Sequence, residues 1–422
     1  MPRLWLINVE ELASPEDPQF DSLFAPTVVG SCVRFLFCME PGDLLVSPVD
    51  IPEEFLAYVR RVGALPEGPL VLGLRRRSQP YSLVESVFGD ERLLARLAGL
   101  GRQGDWILEP YLESQGVVAL SKETGIPTDK TNPDFILNGT ILKLNDKGAF
   151  RALMQELGIP TVPGYLAHDL KGIVAAMDRV SRENRDRIYL KKTRYCGGMG
   201  NISGGRDEIL RRLPSWYNKG EVLVEHALDF AGVAGTLMTL GHDSVRFWGV
   251  DAQRLDGHEW AGFDYPHPNL EAAALLCELS LKIANAVHRR KARGDLNLDW
   301  GLPRDGLGRS RPVILECNFR HNGFGQMLRF ARKYFGIRAD QTRIRYHVHF
   351  RLRDRAAGFG AVARALAGTA VAGEPLLIDS PGRRRGAVVM MPPKNGACAL
   401  ALFGDSADYM EEAAERLTKV LS

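Results

Sequence analysis

Glu316 and Asn318 stand two residues apart, directly after the apolar run Val313-Ile314-Leu315. In a strand, side chains alternate between faces, so this spacing sends both to one side. Asp299 lies on the segment before, across a polar loop holding Asp305, Gly306 and Gly308. A hairpin of two antiparallel strands, Asp295 to Trp300 and Arg311 to Cys317, would bring Asp299 alongside the other two. Two carboxylates and an amide oxygen on one face are hard ligands that suit magnesium, with nucleotide phosphates completing its octahedron. The competing reading is the solvated side of an ordinary hairpin.

A second group surrounds the glycine-rich stretch 197–205. Lacking Cβ atoms, such a backbone can approach phosphate oxygens and point amides at them. No Gly-Lys-Ser/Thr ends it, so it is not a Walker A loop. Nor does it open a helix after the first strand of its unit, as the dinucleotide fingerprint requires. A plain turn is the alternative. Lys191 ends the strand feeding this loop, and Lys147 sits in a helix's first turn, where an anionic partner would offset its conflict with the macrodipole. Neighbours on a strand face opposite sides, so only one of Lys191 and Lys192 should reach a nucleotide. Glu225-His226-Ala227-Leu228 closes an apolar strand like a hinge whose backbone could read an adenine edge, with Glu225 accepting from the exocyclic amine.

The elements that must carry these residues are legible in outline. Strand-like runs at 3–9, 43–47 and 70–74 alternate with helical patterns at Glu53 to Val62 and Asp90 to Leu97, which predicts an α/β layer with a largely parallel sheet. Asn145 or Asp146 can cap a helix running through Leu157, with Phe150, Leu153, Met154 and Leu157 on its apolar face. Strands at Ile188–Lys191 and Glu221–Glu225 follow, then an amphipathic helix over 271–288. Beyond about residue 345 come a strand from Gly386 to Met390 and a helix from Ala407 to Leu421.

The 422 residues, 45% apolar and 25% charged, suit roughly two to four packed domains. Fifty-four basic against 51 acidic residues leave a net charge of +3, which gives no global reason to expect a nucleic acid or an anionic membrane as partner. The short basic runs Arg75–Arg77, His288–Lys291 and Arg383–Arg385 read as solvated faces. Six cysteines without a CxxC pair predict reduced thiols rather than a disulfide framework or a zinc cluster. No apolar run was seen to approach the roughly 20 residues that span a bilayer, and the N-terminus lacks a signal-peptide pattern. The expectation is a cytoplasmic protein with no membrane and no nucleic-acid partner.

Taken in order, Leu144-Asn145-Asp146-Lys147, Gly158–Pro163, Tyr189-Leu190-Lys191, Gly197–Asn201, Val224–Leu228, Leu298-Asp299-Trp300 and Leu315–Arg320 resemble the ATP-grasp superfamily over about residues 140–330. Ser31 to Pro48 and Gly386 to Met391 are similar to the flanks of the pheganomycin-type peptide ligases. The resemblance implies an α/β chain: a Rossmann-like pre-ATP-grasp domain at 1–139, a two-lobed α+β ATP-grasp module at 140–344 with a lobe boundary near 221, and a C-terminal α/β extension at 345–422 packing on that module. It implies ATP phosphates on Lys147 and Lys191 under a lid of Gly197, Gly198, Met199, Gly200 and Asn201. Adenine would lie at Glu225, His226 and Leu228, and two magnesium ions on Asp299, Glu316 and Asn318.

Arg320, on the face of Asn318 if the strand persists, would join Lys191 as a catalytic charge, holding an acylphosphate or carboxylate and stabilising the oxyanion. Substrate contacts are expected from Arg246, Gln253, Asp264, His321 and Asn322. The implied reaction joins a carboxylate (an amino acid or related acid) to an amine (an amino acid or peptide) through an acylphosphate, releasing ADP and phosphate. The alternatives are a ligase with a non-amino-acid acceptor, of carboxylase or purine-pathway type, and a non-catalytic ATP-binding module. A homodimer stays open. Two departures stand out: Asp229 is the only nearby substitute for an acidic ribose ligand, and Asn297 replaces an arginine that some peptide-forming members carry.

Overall fold

The computed structural model describes residues 1–422 except 18, 69, 184–186, 218, 305–310 and 337–340, so the loop with Asp305, Gly306 and Gly308 lies outside the described residues. At the N-terminus, β1 (Arg3–Leu6), β2 (Leu44–Ser47), β3 (Val71–Gly73) and β4 (Ile107–Pro110) form a parallel sheet in the order β3-β2-β1-β4. Every residue of β2 and β4 is buried, as expected for a parallel sheet covered on both faces. The helix Glu91–Gln103 starts where the Asp90 carboxylate accepts from the Leu93 N–H. Helical Phe20–Cys38 escaped the sequence reading. It is 19 residues long with mean hydropathy 1.3, long and apolar enough by that measure to cross a membrane, which corrects the expectation that no such run exists. Here 61% of it is buried, and Phe24, Phe35, Leu36 and Phe37 join the N-terminal core.

A small antiparallel sheet follows, built from β5 (Gly164–Ala167), β6 (Ile188–Lys192), β7 (Asn201–Gly204) and β8 (Val222–His226) in the order β5-β8-β6-β7. It has its own apolar core around Ile173, Met177, Ile188, Leu190 and Val224. The lobe boundary expected near 221 falls in front of β8, yet β8 is hydrogen-bonded between β5 and β6. Those ladders hold it in the first lobe, which ends after His226.

The largest sheet contains β9 (Phe230–Leu240), β10 (Val245–Asp256), β11 (Glu259–Tyr265), β12 (Gly294–Pro303), β13 (Val313–Asn318) and β14 (Arg343–Arg351). After the short ribbon β15 (Ala370–Val371) and β16 (Glu374–Pro375), β17 (Gly386–Lys394) and β18 (Ala397–Gly404) complete it, in the order β13-β12-β9-β10-β11-β14-β18-β17. The boundary expected at 345 lies inside β14, which pairs with β11 on one side and β18 on the other. The C-terminal segment therefore extends the large sheet itself. One continuous core joins this sheet to the N-terminal domain, with Phe37 edge-on to Phe330 and Phe55 edge-on to Phe359.

Candidate active site

The predicted hairpin forms. Asp299 sits opposite Glu316 and Asn297 opposite Asn318 in the antiparallel β12–β13 pair. Directly opposed residues share a face, so the two carboxylates and the Asn318 amide meet on one surface. The Asn318 Nδ2 donates to Asp299 Oδ2 at 2.7 Å and its Oδ1 accepts from Arg320. Burial and the adjacent Glu316 push the Asp299 carboxyl well above the usual carboxylate range. Burial pushes Glu316 the same way, but Lys147 and Arg320 outweigh it and hold that carboxyl low. Two acids this close disfavour each other's charge, which drives the two carboxyls apart, Asp299 up and Glu316 down.

Lys147 joins them because of its helix. Asp146 caps the helix Lys147–Glu156 by accepting from the Ala149 N–H at 2.9 Å, which fixes Lys147 in the first turn. Its Nζ lies 3.0 Å from Glu316 Oε2 and donates to the Tyr195 carbonyl at 2.6 Å. Arg320 donates to Asn145 Oδ1 at 2.5 Å, while its buried Nε has no protein partner among the described residues.

Lys191 and Lys192 diverge as strand geometry requires. Lys191 pairs with Glu225 at 2.8 Å on the neighbouring strand; burial works against its charge, but Glu225 outweighs that and keeps its pKa above the ordinary lysine value. Lys192 pairs instead with Asp17 of the N-terminal domain at 2.5 Å. Glu225 is also gripped by Arg151 at 2.9 Å, so its carboxylate is clamped between two cations rather than left open for an adenine amine. Arg151 follows Lys147 by four positions, one helical turn later, a signal the sequence reading passed over. The His226 ring meets Glu183 at 3.0 Å, and the N–H groups of His226 and Ala227 donate to the carbonyls of Pro163 and Arg187. The Leu228 N–H has no such backbone acceptor among the described residues.

Gly197, Gly198 and Gly200 adopt φ of +65, +82 and +76°, the left-handed region that favours glycine. The loop docks on the β10–β11 turn through the Trp260 N–H, which donates to the Gly197 carbonyl at 3.1 Å. Met199 closes a turn onto the Cys196 carbonyl, and Asn201, paired with Lys191, opens β7 with its side-chain oxygen buried and unpartnered.

The residues expected at substrate are scattered. Gln253 donates to Asp299 Oδ1 at 2.6 Å and so positions a carboxylate. Asp264 is bound to Arg345 at 2.7 Å. Asn322 caps the helix Gly323–Phe335 by accepting from the Gly325 N–H at 2.7 Å. His321 is buried against Glu109 at 2.5 Å and Asp295 at 3.7 Å, and Arg246 lies over the Trp248 ring. Asp251, two residues before Gln253 on β10, accepts from the Gly235 N–H at 2.7 Å, and burial raises its pKa to about 7. Asp229 faces solvent beside Arg304 at 3.9 Å, and Asn297 donates to the Thr236 carbonyl. Among the described residues no three His, Cys, Asp or Glu side chains cluster as a metal site. The third oxygen of the hairpin set belongs to an amide, Asn318.

Residues 32–126 match the family model of the Pre ATP-grasp domain. No curated protein matches the chain by sequence. Among solved structures, N5-carboxyaminoimidazole ribonucleotide synthetase of Thermus thermophilus has a TM-score of 0.60 at 16% identity, over 100% of this chain and 99% of its own. The Aspergillus clavatus carboxyaminoimidazole ribonucleotide synthase complexed with ATP gives 0.59 at 12% identity, over 99% of each chain. The biotin carboxylase domain of the Hydrogenobacter thermophilus 2-oxoglutarate carboxylase, a dimer crystallised with MgADP, ADP and bicarbonate, gives 0.60 at 14% identity, over 98% of this chain and 89% of that one. Identities this low speak for fold. Residues 32–126 thus match a pre-ATP-grasp domain, and the chain as a whole carries the fold of these synthetases and of this carboxylase domain.

Proposed function

We propose that this protein is an ATP-dependent ligase that activates a carboxylic acid as its acylphosphate and passes the acyl group to a nucleophile. The observation that carries the reading is the convergence on one sheet face of Asp299, Glu316 and Asn318 with Lys147 and Arg320, at the spacings given above. A substrate carboxylate oxygen would attack the γ-phosphorus of ATP, breaking its bond to ADP. The nucleophile would then attack the acyl carbon and expel phosphate. Positioning and charge neutralisation dominate such transfers, and the residues supply both. Lys147 and Lys191 are preset for phosphate oxygens, the latter held in place by Glu225. Arg320, anchored by Asn145 and Asn318 and with its Nε donor free of protein partners, suits a carboxylate or the developing oxyanion.

The donor set fits a divalent cation: two carboxylates that disfavour each other's charge are relieved by positive charge. Asp299, Glu316 and Asn318 would hold magnesium, whose charge would offset that of the nucleotide phosphates. Leu228, whose N–H has no backbone acceptor among the described residues, is the adenine reader this arrangement favours.

Two readings of the acid and acceptor remain. The residue pattern favours an amino acid or related acid joined to the amine of an amino acid or peptide. The structural neighbours favour a carboxylase-type reaction better, since by their names they are carboxyaminoimidazole ribonucleotide synthetases and a biotin carboxylase, the last holding bicarbonate. ADP release from ATP and magnesium, measured with bicarbonate in one arm and amino-acid pairs in the other, separates them. Hydroxylamine should trap the activated acid as a hydroxamate. AMP as product, or no ADP with any acid, overturns the ligase reading.

A further inference from the structure

A cavity of about 580 Å³ lies between the N-terminal domain and the large sheet, at Asp295 rather than at the hairpin carboxylates. Its volume falls in the range of small-molecule sites. Asp295 and Asp299 are four residues apart on β12 and therefore share a face, about 13 Å from one another along the strand. A narrow crevice shares Lys130, Arg293 and Asp295 with this cavity and continues to His321 and Arg320. Through Arg320 this crevice reaches the edge of the proposed acylation site.

Six Lys or Arg and five Asp or Glu side chains line the cavity, and the acids are already engaged: Asp129 pairs with Arg3, and Asp43 accepts from the Arg3 and Glu40 N–H groups and the Trp5 indole. Glu109 is paired with Arg3, Lys130 and His321, Asp295 with Arg329, and Lys333 with Glu40. Two cations on the lining have no carboxylate partner among the described residues. Arg293 donates to the main-chain carbonyls of His288 and Ala292, at 3.1 and 2.8 Å. Arg332 lies over the Trp248 ring at 4.3 Å, where Arg246 already sits at 4.0 Å, so two like charges crowd one indole. Guanidinium groups left without counter-ions beside a cavity are matched by carboxylate or phosphate, which they bind through charge-assisted hydrogen bonds.

We infer that this cavity receives the acceptor substrate, a small molecule whose carboxylate or phosphate rests against Arg293 and Arg332 and whose nucleophilic end points into the crevice leading to Arg320. The word acceptor rests on the ligase reading; the binding of an anion does not. Calorimetric titration of the nucleotide-free full-length chain with glycylglycine, ribose 5-phosphate and glycinamide tests it. At least one of the two anionic probes should bind, and glycinamide, which has an amine but no acid, should not. Binding of glycylglycine alone would mark a carboxylate acceptor; binding of ribose 5-phosphate alone would mark a phosphorylated one. Arg332→Gln and Arg293→Gln should each weaken that binding about tenfold or more. Arg332 is exposed on its helix, so its variant keeps the test intact should loss of the Arg293 contacts impair folding. Lys191→Ala should leave the affinity unchanged. The inference falls if neither anion binds, if glycinamide binds as well, or if both arginine variants bind like wild type. Intact anion binding in a protein that never releases ADP would sink the ligase reading alone.

Discussion

Lys191 and Lys192 are chemically identical neighbours with opposite surroundings. Lys191 faces Glu225 within the small sheet, whereas Lys192 crosses to Asp17 of the N-terminal domain, with both of those side chains only 6% exposed. Lys191→Ala should therefore raise the dissociation constant for ATP by about 10- to 100-fold, the worth of one charge-assisted hydrogen bond. Lys192→Ala should leave nucleotide affinity nearly unchanged and instead cost about 3 kcal/mol of stability, because it strands a buried carboxylate. Titration with a fluorescent ATP analogue and urea melts of both variants check this; equal losses of affinity would refute the facing. Glu316→Gln removes the ionised member of the hairpin pair without changing its shape. ADP release should fall at least ~100-fold, with the circular dichroism spectrum unaltered.

At the scale of elements, the glycine loop and the β10–β11 turn form one unit. A Cβ on Gly198 would lie 1.8 Å from the His258 carbonyl oxygen, whereas at Gly197 it would meet only the Met199 tip at 4.0 Å. Both glycines have positive φ, so both alanine variants carry backbone strain of about 1 kcal/mol. Gly198→Ala must in addition undock the loop. It should speed amide exchange across residues 196–204 and raise the KM for ATP well beyond the effect of Gly197→Ala. Equal behaviour of the two would show that docking against the turn is irrelevant to nucleotide binding.

Across the whole molecule, the N-terminal domain is tied to both remaining bodies. It meets the small lobe through Asp17–Lys192 and Glu16–Lys219, and the large sheet through the shared core. Its interior holds Glu10, which accepts from the Leu83 N–H at 2.6 Å and whose pKa is raised by burial, with help from Glu11, to about 8. The folded protein thus keeps a proton that the unfolded chain releases near pH 4.5. Stability from this group is full below that pH, declines as pH rises towards 8, and is flat above it. The loss amounts to about 5 kcal/mol at most. Glu10→Gln should flatten the decline in urea melts between pH 5 and 8, and an unchanged slope would assign the proton elsewhere.

How much of this was legible beforehand depended on the range of the interactions. The shared face of Glu316 and Asn318 and the opposite facing of Lys191 and Lys192 follow from the two-residue period of a strand, whereas the hairpin register and the choice of Asp146 over Asn145 as helix cap were settled by the structure. Helix Phe20–Cys38 was missed because Pro26 and Gly30 interrupt it and Asp21, Ser22, Thr27, Ser31 and Arg34 break its apolar residues. The clamping of Glu225 by Arg151, the service of Gln253 to Asp299, the placement of β8 in the first lobe and the merging of the tail into the central sheet all join residues far apart in sequence. Charge and hydrogen bonding act through space, so which partner a side chain finds, and which arginines are left without one around the cavity, was decided only when the strands were laid side by side.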